Sequence, residues 1–389
     1  MPTPSSLAGD RMSRIASRVS TIELLFDLVF VFTISQVAEI VVHHPDWTGV
    51  AQAAIVLALV WWMYDAYAWL TNQAAPDTTF VRLALIAAMA AFLVLALAIP
   101  DAFGATGVLF GAAYVVVSII HAALFIHRGG RGAARRMLVV GPANVLVGVL
   151  LMVSGTVEGP LDWVLFTLPF VLFLGSALLS ARGGFDPGAS HMVERHGLLM
   201  IIAFGESIIS VGVVATEHDL DAALLTGTVL AVGVVAALWW CYFAGDDRLA
   251  EEAIASAAPS RRTGLALLSF YLEHLAMIFG LVLLAAGLHG LLAEATHPVE
   301  ASAAWLTGAG AGLYLLADAT YRRTLAIGPA GWRVLGAVAA TATAAVGLAA
   351  SGLLQLGALL VVIVGVLAIE AARRRRGATE RRAEAAARA

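Results

Sequence analysis

The sequence contains no lysine; all 23 of its basic residues are arginine. It is also short of charge of either sign, with 13% charged residues, and it carries a single cysteine. Each shortage excludes something. Cys241, standing alone, forms no intramolecular disulfide, and CxxC-type redox or metal motifs are ruled out. Soluble domains run at about 25% charged and about 45–50% apolar residues. Here 60% of the residues are hydrophobic and the mean hydropathy is +0.88, which excludes a soluble globular protein. The net charge is only −4, and the one basic block, "RRRRGATERR", lies near the C-terminus, so nucleic acid is not an expected partner. Residues 1–20 lack the apolar core of a cleavable signal peptide, so the first apolar stretch is expected to act as an uncleaved signal-anchor.

What the chain has in abundance is long apolar runs. Twelve candidate spans lie at 21–42, 48–71, 80–99, 105–127, 135–155, 161–181, 191–215, 222–245, 262–288, 300–321, 331–351 and 354–372. Each has about the 17–25 residues a helix needs to cross the hydrocarbon core. The expected fold is all-α: a polytopic membrane protein of about twelve transmembrane helices. Arginine position supports the count. With the N-terminus taken as cytoplasmic, every arginine falls in a cytoplasmic segment or at its edge, and the six opposite loops, such as "HHPDWTG" and "TEHDLD", hold none. That is the positive-inside pattern. It predicts a multi-pass membrane protein with both termini in the cytoplasm.

An internal repeat is expected. "WWMY" (61–64) closes span 2 and "WWCY" (239–242) closes span 8. An acid in the preceding span lies 34 residues before the first pair (Asp27) and 33 before the second (Glu206). Two six-helix halves in the same orientation, 21–182 and 191–372, would follow, between a cytoplasmic segment at 1–20 and a basic cytoplasmic tail at 373–389. The plainer reading is that both tryptophan pairs belong to an aromatic belt. The loop at 245–262 is expected to form a short surface helix, and the tail to face anionic lipid.

Charges inside spans cost about 2.5–3.5 kcal/mol on insertion scales and face a bundle interior, a water-filled cavity or one another. In span 1, Glu23 and Asp27 are four residues apart and share one helix face; Glu39 lies near the far interface, where water can reach it. In span 7, Glu194, Arg195 and His196 form a charged group at the inner end. Glu206 follows near mid-membrane, flanked by Gly205, Ser207 and Ser210, which permit close helix approach. Arg195 and Glu206 share a face but are about 16 Å apart along the axis. In span 9, Glu273 and His274 are neighbours that could relay protons or tether helices. Asp65 and Asp318, at the inner ends of spans 2 and 10, are expected to be solvated, with Arg322 placed to pair with Asp318. Arg195 and His196 are the expected partners of Glu23 or Asp27. The candidates for substrate, ion or proton coupling are therefore Glu23, Asp27, Arg195, His196, Glu206, Glu273 and His274; a neutralised network that only holds helices together is the competing reading. No HExxH, P-loop or G-x-S-x-G pattern is present, so no metal site, cofactor or hydrolase site is expected. "GAGAG" (308–312) reads as close helix packing.

Two segments, "ELLFDLVFVFTISQVA" (23–38) and "VERHGLLMIIAFGESIISVG" (193–212), resemble the signature segments of the bacterial low-temperature-requirement protein A family. The resemblance runs from about residue 15 to 370 and implies an integral protein of the bacterial inner membrane; it implies no biochemical activity. E-x-x-x-D-x-V-F, here Glu23, Asp27, Val29 and Phe30, is also similar to the first helix of a potassium-channel family built from six-helix repeats. There the sequence departs from the pattern, with Thr21 at the arginine position and Leu25-Phe26-Asp27 in place of F-S-D, so no pore residue carries over. The expected function is transport of a small solute or ion, with proton coupling as one form of it. A cation channel and a membrane enzyme or lipid-handling protein are the alternatives.

Overall fold

The computed structural model describes residues 20–73, 78–128, 130–180 and 189–388. The N-terminal segment, apart from Ser20, and Arg182 lie outside the described residues. Among those described there is no strand. The helices are α1 (Thr21–His43), α2 (Trp47–Gln73), α3 (Thr79–Leu97), α4 (Gly107–Arg128), α5 (Gly130–Ser154), α6 (Pro160–Ser180), α7 (Ala189–Glu217) and α8 (Ala222–Phe243). They continue as α9 (Asp246–Ser256), α10 (Pro259–Ala266), a π-helical segment (Leu267–Glu273), α11 (His274–Ala293), α12 (Ala301–Thr324), α13 (Gly331–Ala342), α14 (Ala344–Ala349) and α15 (Gly352–Arg388).

Each expected span falls on helix. Nine helical stretches among the described residues are long and apolar enough to cross a membrane. Two more apolar segments, Val140–Ser154 and Pro160–Phe173, are shorter. α12, expected as span 10, is not among the nine: it is rich in Gly, Ala and Thr, and its last turns carry Asp318, Arg322 and Arg323. Span 9 is interrupted by the π-helical segment, and span 11 is broken into α13 and α14 at Thr343. The short helix expected in the 245–262 loop is α9.

Local chemistry explains the helix ends. Ser20 caps α1 and Glu23, three residues on, reaches back to it: the Ser20 N–H and hydroxyl donate to Glu23 Oε2 at 2.8 and 2.7 Å. Thr78 and Asp221 accept from backbone N–H groups at the starts of α3 and α8. The turn from α8 into α9 needs a left-handed residue, and Gly245 supplies it at φ 109°.

The chain divides into two compact units. The first comprises Met1–Ala203 and Arg248–Leu275. In it α4 and α5 touch backbone to backbone along a glycine stripe: a Cβ on Gly107 would come within 2.7 Å of Gly155 Cα, and one on Gly111 within 2.7 Å of Met152 Cα. An aromatic core of Phe26, Phe30, Trp61, Tyr64, Tyr67 and Phe92 joins α1, α2 and α3, with Phe30 and Tyr64 ring centroids 4.4 Å apart.

The second unit comprises Phe204–Asp247 and Ala276–Ala389. The "GAGAG" run packs closely, as its sequence predicts. A Cβ on Gly280 of α11 would stand 2.7 Å from Tyr314 N and 2.8 Å from Gly310 O of α12, and one on Gly308 would stand 3.0 Å from the Ala340 carbonyl oxygen of α13. Gly205 does not follow the same logic: a Cβ there meets nothing within 4 Å, so close approach is not its role. The tryptophan pairs also part company. Trp61 is fully buried in the first unit, whereas Trp239 and Trp240 of the second are 38% and 58% exposed, as a membrane-facing belt would be.

Candidate functional site

Three helices of the first unit bring their polar residues to one point. Glu23 and Asp27 project from the same face of α1, Tyr64 and Thr71 from α2, and His191 and Arg195 from α7. Arg195 is 1% exposed and lies at the centre. Its Nη1 donates to Glu23 Oε1 at 3.0 Å and Thr71 Oγ1 at 3.1 Å. Its Nη2 donates to Asp27 Oδ1 at 2.8 Å and to the Tyr64 hydroxyl oxygen at 2.9 Å. The Tyr64 hydroxyl in turn donates to Asp27 Oδ1, and its ring lies 5.5 Å from the guanidinium carbon. This is the planar, many-donor geometry that arginine provides and lysine does not. Burial of Glu23, Asp27 and Arg195 strengthens each charge–charge interaction.

Among the described residues the charges do not balance. Two buried carboxylates face one guanidinium. His191 Nε2 lies 3.3 Å from Glu23 Oε1 and offsets the excess when protonated. Asp27 Oδ2, by contrast, is buried with no hydrogen-bond partner. A buried carboxylate oxygen left in that state is costly. A cavity of about 10 Å³ adjoins the cluster, lined by Ile22, Glu23, Phe26, Tyr67, Thr71, Leu85 and Arg195. That is room for about one water molecule.

The second unit holds a cluster of a different kind. Asp246, Asp318 and Glu370 are buried with Arg322 and Arg333. Arg322 meets Asp246 Oδ2 at 3.0 Å and Glu370 Oε1 at 2.8 Å. Arg333 pairs with Asp318 and reaches Glu370 Oε1 at 3.2 Å. Half-exposed Arg374 stands 3.9 Å from both Asp246 and Glu370. Three acids face three arginines, so the formal charges balance, although Asp318 Oδ1 here, like Asp27 Oδ2, is buried without a hydrogen-bond partner.

Several expectations change here. Arg195 does partner Glu23 and Asp27. His196 does not: its Nε2 faces Asp65 Oδ1 at 3.6 Å, and its ring is 5.2 Å from that of His274. Asp65 and Asp318 are not solvated; they are 7% and 0% exposed. Arg322 does not take Asp318 as its partner, because Arg333 from the next helix occupies it. Glu39 is half-exposed and pairs with His43 at 3.2 Å. Glu206 and Ser207 are buried in the second unit, and Glu273 is buried at the end of the π-helical segment. Sequence reasoning missed Tyr64, Thr71 and His191, although "WWMY" had marked Tyr64 for another reason. It also missed Asp246, Arg333 and Glu370, which look like loop or interface charges when read in one dimension.

Residues 18–369 match the family described as Bacterial low temperature requirement A protein (LtrA). The chain belongs to the LtrA family. It is also 28% identical over 301 residues to Uncharacterized protein RA0937 of Rhizobium meliloti (strain 1021), covering 73% of this chain and 71% of that protein. This LtrA protein is thus an all-α, multi-pass integral membrane protein, and the outward apolar faces of its spans contact the lipid bilayer. The first segment whose residues resemble an LtrA signature and the opening part of the second, 193–203, meet in the first unit. One supplies Glu23 and Asp27, the other Arg195 and His196.

Proposed function

We propose that this LtrA protein is a carrier for a small solute or ion in the bacterial inner membrane, with both termini cytoplasmic. In this reading the Glu23–Asp27–Arg195 cluster binds the cargo or its coupling proton. The observation that carries the proposal is the excess of buried negative charge there, together with the unpartnered Asp27 Oδ2. A helix clasp needs no surplus: in the second unit Asp246, Asp318 and Glu370 are matched by Arg322, Arg333 and Arg374. A surplus carboxylate is completed by a cation or a proton, which is what a transport site must bind and release. Glu206, Glu273 and His274, buried in spans 7 and 9, are the further coupling candidates. The absence of arginine from six alternate loops supports the orientation. Two six-helix halves at 21–182 and 191–372 would place Asp27 and Glu206 in corresponding spans.

The test is a solute and ion flux screen in proteoliposomes. Asp27→Asn and Glu206→Gln are expected to abolish flux while the protein still inserts and stays monodisperse. Full flux in Asp27→Asn would refute the assignment of the site. Current that persists without a proton gradient and saturates weakly would identify a channel instead. Co-purified lipid consumed or modified without any flux would identify a lipid-handling enzyme.

A further inference from the structure

Next to the arginine cluster stands a second buried pair with its own logic. His196 follows Arg195 on α7 and turns toward Asp65 of α2. His196 is 0% exposed and Asp65 7%. His196 Nε2 and Asp65 Oδ1 face each other at 3.6 Å, and neither has a hydrogen-bond partner. The other ring nitrogen decides the tautomer. His196 Nδ1 lies 2.9 Å from the Met192 carbonyl oxygen. A carbonyl only accepts, so Nδ1 carries the hydrogen. In neutral imidazole Nε2 is then a bare lone pair. Opposite an ionised Asp65, two buried acceptors without other partners would confront each other. One proton removes the conflict, either as a carboxylic acid donating to Nε2 or as an imidazolium donating to the carboxylate.

The surroundings hold the pair in place. Trp61 of α2 stands edge-on to His196 at 5.8 Å between ring centroids, and Phe270 lies at 4.9 Å. The Trp61 indole N–H donates to the Tyr271 carbonyl at 3.0 Å, which pins the π-helical segment against α2. Segments of this kind within helices recur at functional sites. The titratable group in ring contact with His196 is His274, whose own Nδ1 is 2.7 Å from the Ser269 carbonyl. On the Asp65 side the titratable neighbour is Tyr271, whose hydroxyl has no hydrogen-bond partner. Arg195, one residue before His196, is directed to Glu23 and Asp27 instead.

We propose that Asp65 and His196 form a proton-binding site that takes up a single proton from water and returns it. The site does not depend on the carrier reading; within that reading it supplies the coupling proton beside the Arg195 cluster. The test uses the full chain in nanodiscs and counts protons bound across a pH titration, with infrared difference spectra to identify the carboxyl. Asp65→Asn and His196→Gln are each expected to lose the same single proton, and the double variant to lose no more than either alone. A wild-type proton count in either single variant overturns the site, as does a double variant that loses two. If a variant fails to fold, histidine ¹⁵N spectra of the wild type answer the question. A buried imidazole protonated on Nδ1 must gain a proton at Nε2 or a hydrogen bond there as pH falls; pH-invariant spectra for every buried histidine overturn the proposal. Flux measured on the same variants keeps the two readings apart. Loss of the proton with flux intact upholds the site but removes it from coupling.

Discussion

Arg195 and Arg333 are both buried arginines with carboxylates on two sides, yet removing them should have different consequences. Arg195→Met strips from Glu23 and Asp27 the one guanidinium that meets them among the described residues. Breaking a buried pair from one side typically costs about 3–5 kcal/mol, because it strands a charge. Arg333→Met should cost a similar amount by stranding Asp318. The difference lies in rescue. Asp318→Asn with Arg333→Met removes both charges of a closed cluster and should recover most of the lost stability. Asp27→Asn with Arg195→Met still leaves Glu23 buried with only His191 opposite, and should recover less. Thermal unfolding of the purified variants in detergent measures both; equal rescue in the two clusters would show that the surplus charge at Asp27 has no energetic meaning.

Among elements, the glycine contacts separate packing from everything else. Gly280 of α11 sits against the α12 backbone, so Gly280→Val must push the two helices apart. Overpacking of this kind costs about 1–3 kcal/mol. Gly205 has open space where its Cβ would be. Gly205→Ala should be neutral, or stabilising by about 0.5–1 kcal/mol, since it only reduces the freedom of the unfolded chain. A lowered unfolding midpoint in both variants would refute this division. The spacing in "GAGAG" made the first contact legible in advance. Nothing local distinguishes Gly205, because what fills the space beside a helix is a property of its neighbours. The π-helical segment was equally hidden: its seven residues, "LLSFYLE", are ordinary helix formers, and it is held by contacts such as Trp61 to Tyr271, 210 positions apart.

For the whole molecule, orientation is the testable quantity. The arginine pattern predicts that His218–Asp221 faces outward and Arg323 inward. With Cys241 replaced by Ser, a cysteine at Asp219 should react with a membrane-impermeant maleimide added to intact cells. A cysteine at Arg323 should react only after the membrane is opened. The reverse pattern would invert the proposed topology. Membrane class, helix positions and the polar residues of spans 1 and 7 were readable at this scale, because a bilayer imposes length and hydropathy on each span separately.

Composition and hydropathy by themselves determined that this chain is a helical, multi-pass membrane protein. Its acids in spans also marked Glu23 and Asp27 as residues that must find a partner. Tertiary structure decided which partner each charge takes. Arg195 serves both acids of α1, His196 turns to Asp65, and Arg333 displaces Arg322 from Asp318. A four-residue spacing along one helix specifies a shared face, whereas an ion pair between helices depends on how their axes pack and which side chain reaches furthest. That packing is set by small residues and aromatic walls spread along the chain. It also decides which clusters close electrically and which, like that at Asp27, are left with charge to spare.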